Sequence, residues 1–169
     1  MGLLGNYMTV DDTTLDYMVE LDNEALLEMI EELEEDESTE IYAIDKLWDG
    51  LHFLLTGKSA ANPIEDDKLS EAVVGVHVFN DDDEEAEFVG CTENDELPDI
   101  VQAMLDVDID ALKEGFDLSK FRDNKIYPNI WLDKDRDSLF NELMGEFKNL
   151  PEFYMKAAES GKHIVISIY

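Results

Sequence analysis

An excess of negative charge constrains this chain more than any other feature. Its 169 residues hold 43 acidic and 12 basic side chains, which gives a formal net charge of −31 at pH 7. The excess lies almost entirely in residues 1–110, whose only basic side chains are Lys46, Lys58 and Lys68. Residues 111–169 are nearly neutral. We therefore expect one strongly negative face, and a nearly neutral remainder that packs against it.

This charge excludes two classes of partner. Binding to nucleic acid or to an anionic lipid surface depends on lysine and arginine side chains that displace counterions from phosphates. A chain with a net charge of −31 is repelled by both surfaces. The sequence also has no apolar run near the roughly 18 residues that a membrane span needs. We predict no nucleic-acid partner and no membrane partner.

Composition predicts a single cytoplasmic domain over residues 1–169. With 44% hydrophobic residues the chain is too apolar for a disordered acidic tail, and its length suits one core. Its N-terminus lacks the basic start and apolar run of a secretory signal. The single cysteine, Cys91, can form no internal disulfide, and its neighbours predict a buried strand with an unreactive thiol. The sequence predicts no particular oligomeric state.

Apolar periodicity predicts strands at both chain ends with helices between them. Gly2–Val10 and His163–Tyr169 are apolar or β-branched runs that can pair. Between them, apolar spacings of three and four predict helices, and two short apolar runs predict a hairpin around an acidic loop. The predicted helices are 13–19, one capped by Asp22, 44–56, 69–74, one beginning near Leu97, one capped by Asp108, and a C-terminal helix interrupted at Pro151; the hairpin strands are 76–79 and 87–92. These elements predict an α+β fold with a small mixed sheet and several packed helices.

The densest group of chemically useful side chains lies in the predicted helix 44–56. On a helix, Trp48 and His52 are four residues apart, and Asp49 is placed to orient the imidazole. Together with Tyr127, such a group could line a pocket, bind a metal weakly or move a proton. The alternative is that Trp48 and His52 complete the core, with their polar atoms bonded to nearby backbone or carboxylate groups.

Recognisable motifs for metals, cofactors and catalysis are absent from the sequence. Residues 106–117 imitate an EF-hand loop, but Ala111 replaces the required glycine and Asp117 the final glutamate. The acidic stretch 81–85 fits a solvated loop better than a metal site. The three histidines are far apart in the sequence, so no zinc-binding set is visible. We predict no metal and no cofactor, and the lack of enzyme motifs favours a non-catalytic protein.

Three segments carry a family resemblance. They are residues 1–5, residues 44–57 with the pattern Asp-Lys-x-Trp-x-x-Leu-His-x-x-Leu-Thr-Gly, and residues 126–128. Together they resemble the YfbM-like family of small bacterial proteins, a domain of unknown function. The resemblance implies a compact α+β domain without an established activity, and it suggests a common pocket or core around the central motif. The resemblance suggests that this pocket or core includes Asp45, Trp48, His52, Thr56 and Gly57. With Asp49 and Tyr127 from the analysis of the helix, the candidate pocket residues are Asp45, Trp48, Asp49, His52, Thr56 and Tyr127.

Two functions fit these observations. The first is a non-catalytic acidic module that binds a basic protein partner, as immunity proteins and antitoxins do, with charge accelerating the encounter. A nucleic-acid mimic is a variant of this hypothesis. The second is a small-ligand-binding protein or enzyme with its pocket around Trp48 and His52. A further alternative is that the charge only keeps the protein soluble.

Overall fold

The architecture is a five-stranded sheet covered by helices, seen in a computed structural model that describes residues 2–169. This part of the chain forms the following strands and α-helices: β1 Gly5–Val10, α1 Asp12–Met18, α2 Asn23–Glu35, β2 Ile41–Asp45, α3 Trp48–Thr56, α4 Lys68–Val74, β3 His77–Val78, β4 Phe88–Thr92, α5 Leu97–Leu105, α6 Ile109–Glu114, α7 Leu118–Asp123, α8 Arg136–Glu159 and β5 His163–Ile168. The sheet order is β2-β1-β5-β4-β3, and every neighbouring pair is antiparallel. The predicted α+β fold is confirmed, with an antiparallel sheet in place of a mixed one.

The predicted pairing of the two chain ends is also confirmed. β1 and β5 are antiparallel neighbours, with Tyr7 opposite Ile166. The other edge of β5 pairs with β4, where Gly90 lies opposite Ile166. The last strand therefore occupies the centre of the sheet. All six of its residues are buried, which explains why its sequence reads as a nearly continuous apolar run.

Alternating side chains of the central strands form a core on each face of the sheet. Tyr7 and Ile166 belong to the larger core, which includes residues of α3, α4, α5 and α8. Met8 and Val165 belong to the smaller core, where they meet buried side chains of α1 and α2, including Ile30. The sheet is thus covered on both faces, and α2 lies on the face with the smaller core.

The predicted helix over 44–56 begins too early. Residues Ile41–Asp45 form β2, which pairs with β1, and α3 begins only at Trp48. β-Branched and aromatic side chains in this segment favour a strand. Asp45, the last residue of β2, has a φ of 55°, and this left-handed conformation ends the strand. Gly57 ends α3 as predicted, with a φ of 78°.

The C-terminal helix is longer and less interrupted than predicted. α8 runs for 24 residues with Pro151 inside it, although a proline removes one helical hydrogen bond. Leu150, Pro151 and Tyr154 are all buried, so tertiary packing holds the helix together through the proline. Neither α8 nor any other helix of residues 2–169 is both long and apolar enough to cross a membrane.

Cys91 is a core residue of β4. Its side chain belongs to the smaller core, on the face of the sheet that α1 and α2 cover. Burial, followed by the negative charges of Glu93 and Glu96, raises the pKa of its thiol to about 12. The thiol is therefore protonated at neutral pH and unreactive, as predicted.

Close packing around Gly50 yields a stability prediction. A Cβ atom at Gly50 would lie 2.4 Å from the ring of Trp131, whose indole N–H donates to the Ile126 carbonyl oxygen at 2.9 Å. Because that ring is buried and anchored, we expect Gly50→Ala to lower the free energy of unfolding by about 1–3 kcal/mol in urea denaturation.

A matched glycine in α8 provides the control. A Cβ atom at Gly145 meets nothing within 4 Å, and the position is exposed. Since alanine favours the helix over glycine, Gly145→Ala should raise the free energy of unfolding by about 0.5–1 kcal/mol. Equal stability of the Gly50→Ala variant and the unaltered protein would contradict the packing described here.

Candidate functional site

The three segments that carry the family resemblance meet at one point of the structure. Trp48 begins α3, and its indole stacks on the Tyr127 ring, with centroids 5.4 Å apart and planes at 24°. The indole N–H donates to the carbonyl oxygen of Leu3 at 3.1 Å. The Tyr127 hydroxyl accepts the N–H of the same leucine at 2.8 Å. Both backbone polar groups of Leu3 are therefore held by the aromatic pair.

Asp49 ties the loop after α3 to the Tyr127 segment. Its Oδ1 accepts from the Ser59 hydroxyl at 2.9 Å and from the Ala60 N–H at 2.7 Å. Its Oδ2 accepts from the Tyr127 N–H at 2.9 Å. The side chain is only 4% exposed, and three donors compensate the burial of its carboxylate. The prediction that Asp49 orients the imidazole of His52 is wrong, because its oxygens are used by these loops.

His52 is fully buried, with a partner for each ring nitrogen. Its Nδ1 lies 2.6 Å from the Lys58 carbonyl oxygen, which can only accept, so Nδ1 carries the proton. Its Nε2 then accepts from the Ser70 hydroxyl at 2.7 Å, and that hydroxyl oxygen accepts the Ile64 N–H at 3.0 Å. Burial lowers the pKa of the imidazole. The histidine is therefore a neutral core residue, which is the alternative that the sequence left open.

A cavity of about 270 Å³ opens beside Trp48 and Asp49. Its walls are mainly apolar, formed by Leu3, Trp48, Ala60, Ala61, Val74, Phe88 and Ile168. The three polar lining residues are Asp49, Ser59 and Glu87. Trp48 and Asp49 are thus the predicted site residues that the structure places on this cavity. Tyr127 lines a separate cavity of about 410 Å³.

The other predicted site residues lie away from this cavity. Asp45 is exposed at the end of β2. Thr56 is half-buried at the end of α3, where its hydroxyl donates to the His52 carbonyl oxygen at 2.7 Å. The sequence reasoning missed Phe88 and Ile168, which lie opposite each other where β4 pairs with β5. Spacing within one segment cannot show which strand ends will meet, so no motif marked them.

A second candidate is the acidic face, which we define as residues 22–37 and 81–87. The two segments hold fifteen acidic side chains and no lysine or arginine, and all fifteen are exposed. Asn23 joins the segments: its side-chain N–H donates to the Glu87 carbonyl oxygen at 3.5 Å, and its side-chain oxygen accepts the Glu87 N–H at 3.4 Å. Two acidic stretches far apart in sequence therefore form one surface.

The carboxylates of the acidic face influence one another. Glu34 loses part of its hydration to its surroundings, which raises its pKa, and the neighbouring Glu31 raises it further. Burial, with the charges of Glu34, Glu31 and Glu87, raises the pKa of Tyr169 to about 12, so carboxylates of both segments act on one phenol. Within residues 2–169, no side chain of the acidic face forms an ion pair with a basic side chain. Its negative field is therefore not compensated locally.

Comparison with known proteins places the whole chain in one family. The sequence profile of DUF1877, a domain of unknown function, matches residues 1–167. The chain belongs to the DUF1877 family. It is similar to Protein YfbM of Escherichia coli strain K12, with 29% identity over 169 residues and 99% of each chain covered. The crystal structure of YfbM from Escherichia coli, described as a protein of unknown function, matches 98% of this chain and 99% of its own with a TM-score of 0.83 and 28% identity.

Membership of DUF1877 confirms the YfbM-like resemblance seen in the sequence. The family is described as one of unknown function, so membership transfers no reaction, ligand or partner. The cavity beside Trp48 lies where the segments of that resemblance meet, whereas the acidic face lies outside those segments. The two sites share Glu87, which lines the cavity and belongs to the acidic face, and function has to be argued from their geometry.

The contacts of Asp49 predict a large loss of stability on substitution. In Asp49→Asn, an amide NH₂ would face a backbone N–H or the Ser59 hydroxyl, and a buried donor would lose its acceptor. We expect the free energy of unfolding to fall by about 1–3 kcal/mol in urea denaturation. Asp45→Asn is the control. That residue is exposed, and asparagine tolerates its φ of 55°, so the change should stay within about 0.5 kcal/mol. Equal effects of both substitutions would contradict this role of Asp49.

Proposed function

We propose that this protein is a non-catalytic cytoplasmic module that binds a basic protein through its acidic face, in the manner of immunity proteins and antitoxins. One observation carries the proposal: two segments that are distant in sequence combine fifteen exposed carboxylates in one surface that contains no lysine or arginine. A field of one sign attracts a partner of the opposite sign and accelerates the encounter. A basic protein is the partner class that fits.

The rigidity of the acidic face supports recognition. α2 is anchored by Leu26 and Ile30, which are fully buried in the smaller core. Phe79 and Val89 flank the acidic loop and are buried in the same core. The carboxylates are therefore presented by a packed helix and an anchored loop. Such a surface loses less conformational entropy on binding than a disordered acidic tail.

The distribution of charge also favours binding over a role in solubility alone. A surface that only keeps a protein soluble is served by charges of both signs that are interspersed. Here residues 111–169 are nearly neutral, whereas residues 22–37 and 81–87 are purely acidic. Concentration of one sign on one face is the pattern expected for electrostatic steering.

Neutralisation of the acidic face should weaken binding to the partner. We expect affinity capture from bacterial lysate at low salt to retain a basic protein, whose dissociation constant then rises with salt. The triple variant Glu28→Gln/Glu32→Gln/Glu35→Gln should weaken that interaction roughly tenfold, if each lost charge is worth about 0.5 kcal/mol. The dissociation constant is measured by titration calorimetry with the purified partner.

The control changes the net charge equally at another surface. Glu142, Glu152 and Glu159 are exposed on α8, outside the acidic face. Replacing all three by glutamine should leave the affinity for the partner within about twofold of that of the unaltered protein, since the charges of the acidic face are kept. Retention of no basic protein at low salt, or equal weakening by both triple variants, would reject the proposal.

A second candidate function is the binding of a small apolar ligand in the cavity beside Trp48. The cavity of about 270 Å³ is slightly smaller than the usual range for ligand sites, which suits only a small ligand, and seven of its ten lining residues are apolar. The buried Asp49 and the stacked Tyr127 fix the position of Trp48, so the cavity wall is preformed. His52 has no part in this candidate, because its ring is sealed beneath the surface.

A substitution at the mouth of the cavity tests this candidate. Ala61 is exposed and lines the cavity, so Ala61→Phe should fill the space without disturbing the core. We expect apolar fragments detected by ligand-observed NMR to bind the unaltered protein and to lose at least about tenfold in affinity on this change. Ala111→Phe, at an exposed position of α6, should leave fragment binding unchanged. Fragments that bind all three proteins equally would reject the cavity as a ligand site.

A further inference from the structure

His77, Glu93 and Glu96 converge at one edge of the sheet. His77 begins the edge strand β3 and lies opposite Cys91 of β4, so the register brings it close to the residues that follow β4. Its Nε2 is 3.0 Å from Oε1 of Glu96 and 3.8 Å from Oε2 of Glu93. One ligand atom from each side chain lies within 4.8 Å of the other two. The strand pairing thus gathers one imidazole and two carboxylates that are separated in sequence.

The two carboxylates are held in place by the backbone. Residues 94–96 form a 3₁₀ turn, and Glu93 and Glu96 form a reciprocal capping box around it. Oε1 of Glu96 accepts the N–H of Glu93 at 2.8 Å, and the Glu93 side chain accepts the N–H of Glu96. Hydrogen bonds of this kind orient carboxylate ligands in metal sites. The two carboxylates are therefore held in place before any ligand arrives.

We propose that these three side chains bind a divalent first-row transition-metal ion such as Zn²⁺. Imidazole nitrogen and carboxylate oxygen are both good ligands for zinc, with bond lengths of about 2.0–2.2 Å. Tetrahedral geometry then places ligand atoms roughly 3.4 Å apart, and the separations of 3.0 and 3.8 Å from the Nε2 of His77 bracket that value. The imidazole distinguishes this set from the oxygen-only ligand sets that calcium and magnesium prefer.

The surroundings of the cluster allow an ion to enter. The side chains of His77 and Glu93 are 50% and 52% exposed, and that of Glu96 is 26% exposed. Three protein ligands leave the fourth position of the ion to water, as in open zinc sites. The net charge of −31 also raises the concentration of cations near the surface.

The competing explanation is a simple ion pair between protonated His77 and the two glutamates. The ion pair and the metal site exclude each other, because a proton and a metal ion compete for the same lone pair of Nε2. Under the metal proposal, zinc is held by the Nε2 of His77 together with the two carboxylates, so it binds more tightly here than at other exposed groups. Under the ion-pair explanation, zinc binds no better here than at any other group of exposed carboxylates.

A zinc titration of the full-length, tag-free protein distinguishes the two. Competition with a chromophoric chelator gives the dissociation constant, and NMR reports the His77 ring signals. We expect His77→Ala and the double variant Glu93→Gln/Glu96→Gln each to weaken the tightest zinc site at least about tenfold. Glutamine keeps the side-chain oxygen of the capping box, and His77 is half exposed, so both variants should fold, which circular dichroism verifies.

The matched control is Glu84→Gln/Glu85→Gln, which makes the same charge change in the exposed loop between β3 and β4. The dissociation constant of the tightest zinc site should change by less than about twofold, because the removed charges are not ligands. Zinc affinity that is unchanged in His77→Ala, or lowered equally by the control, would overturn the proposal. None of the three ligands belongs to the acidic face, so this outcome is independent of binding to a basic protein.

Discussion

The fold depends on the insertion of the C-terminal strand between β1 and β4. Without β5 the sheet would consist of two separate two-stranded pieces, and such pieces are marginally stable in water. β5 also supplies side chains to both cores, with Ile166 in the larger and Val165 in the smaller. Because its partner β1 lies at the other end of the chain, the central ladder forms only when the chain ends meet. Local helix formation alone cannot produce this domain.

The same architecture explains how the chain tolerates its charge. The two segments of the acidic face repel each other, and apolar packing beneath them opposes that repulsion. Ile30 of α2 and Val89 of β4 belong to one core, which therefore holds both acidic segments against the sheet. The charged side chains stay in water, where screening weakens their mutual repulsion. Concentrated charge on this face is thus compatible with a stable fold because an apolar contact lies directly behind it.

The parts of the fold that could be predicted are set by local sequence patterns. The parts that were missed depend on which strands pair with each other and in which register. β5 can be recognised by its β-branched composition, and α2 by the helical spacing of its apolar residues. β2 was missed because only Lys46 and Leu47 lie between it and α3, with no proline or glycine to mark the boundary, and the left-handed Asp45 that ends the strand carries no sequence signal. The ligand set at His77 was missed for the same reason as Phe88 in the cavity wall. The positions of His77 and of Phe88 relative to their neighbours are set by the register between strands, which a single sequence does not reveal.

His52 and Asp49, which looked in the sequence like part of an active site, form a buried structural network in the fold. A group that is to bind or react has to be reached by its ligand, and His52 and Asp49 are buried. Both ring nitrogens of His52 are paired inside the core, and both oxygens of Asp49 accept from the surrounding loops. Their hydrogen bonds fix the backbone around Trp48 and thereby shape the cavity beside it. The carboxylates of the acidic face and the cluster at His77 remain accessible to solvent, so function is best sought at the surface and in the cavity that the buried network supports.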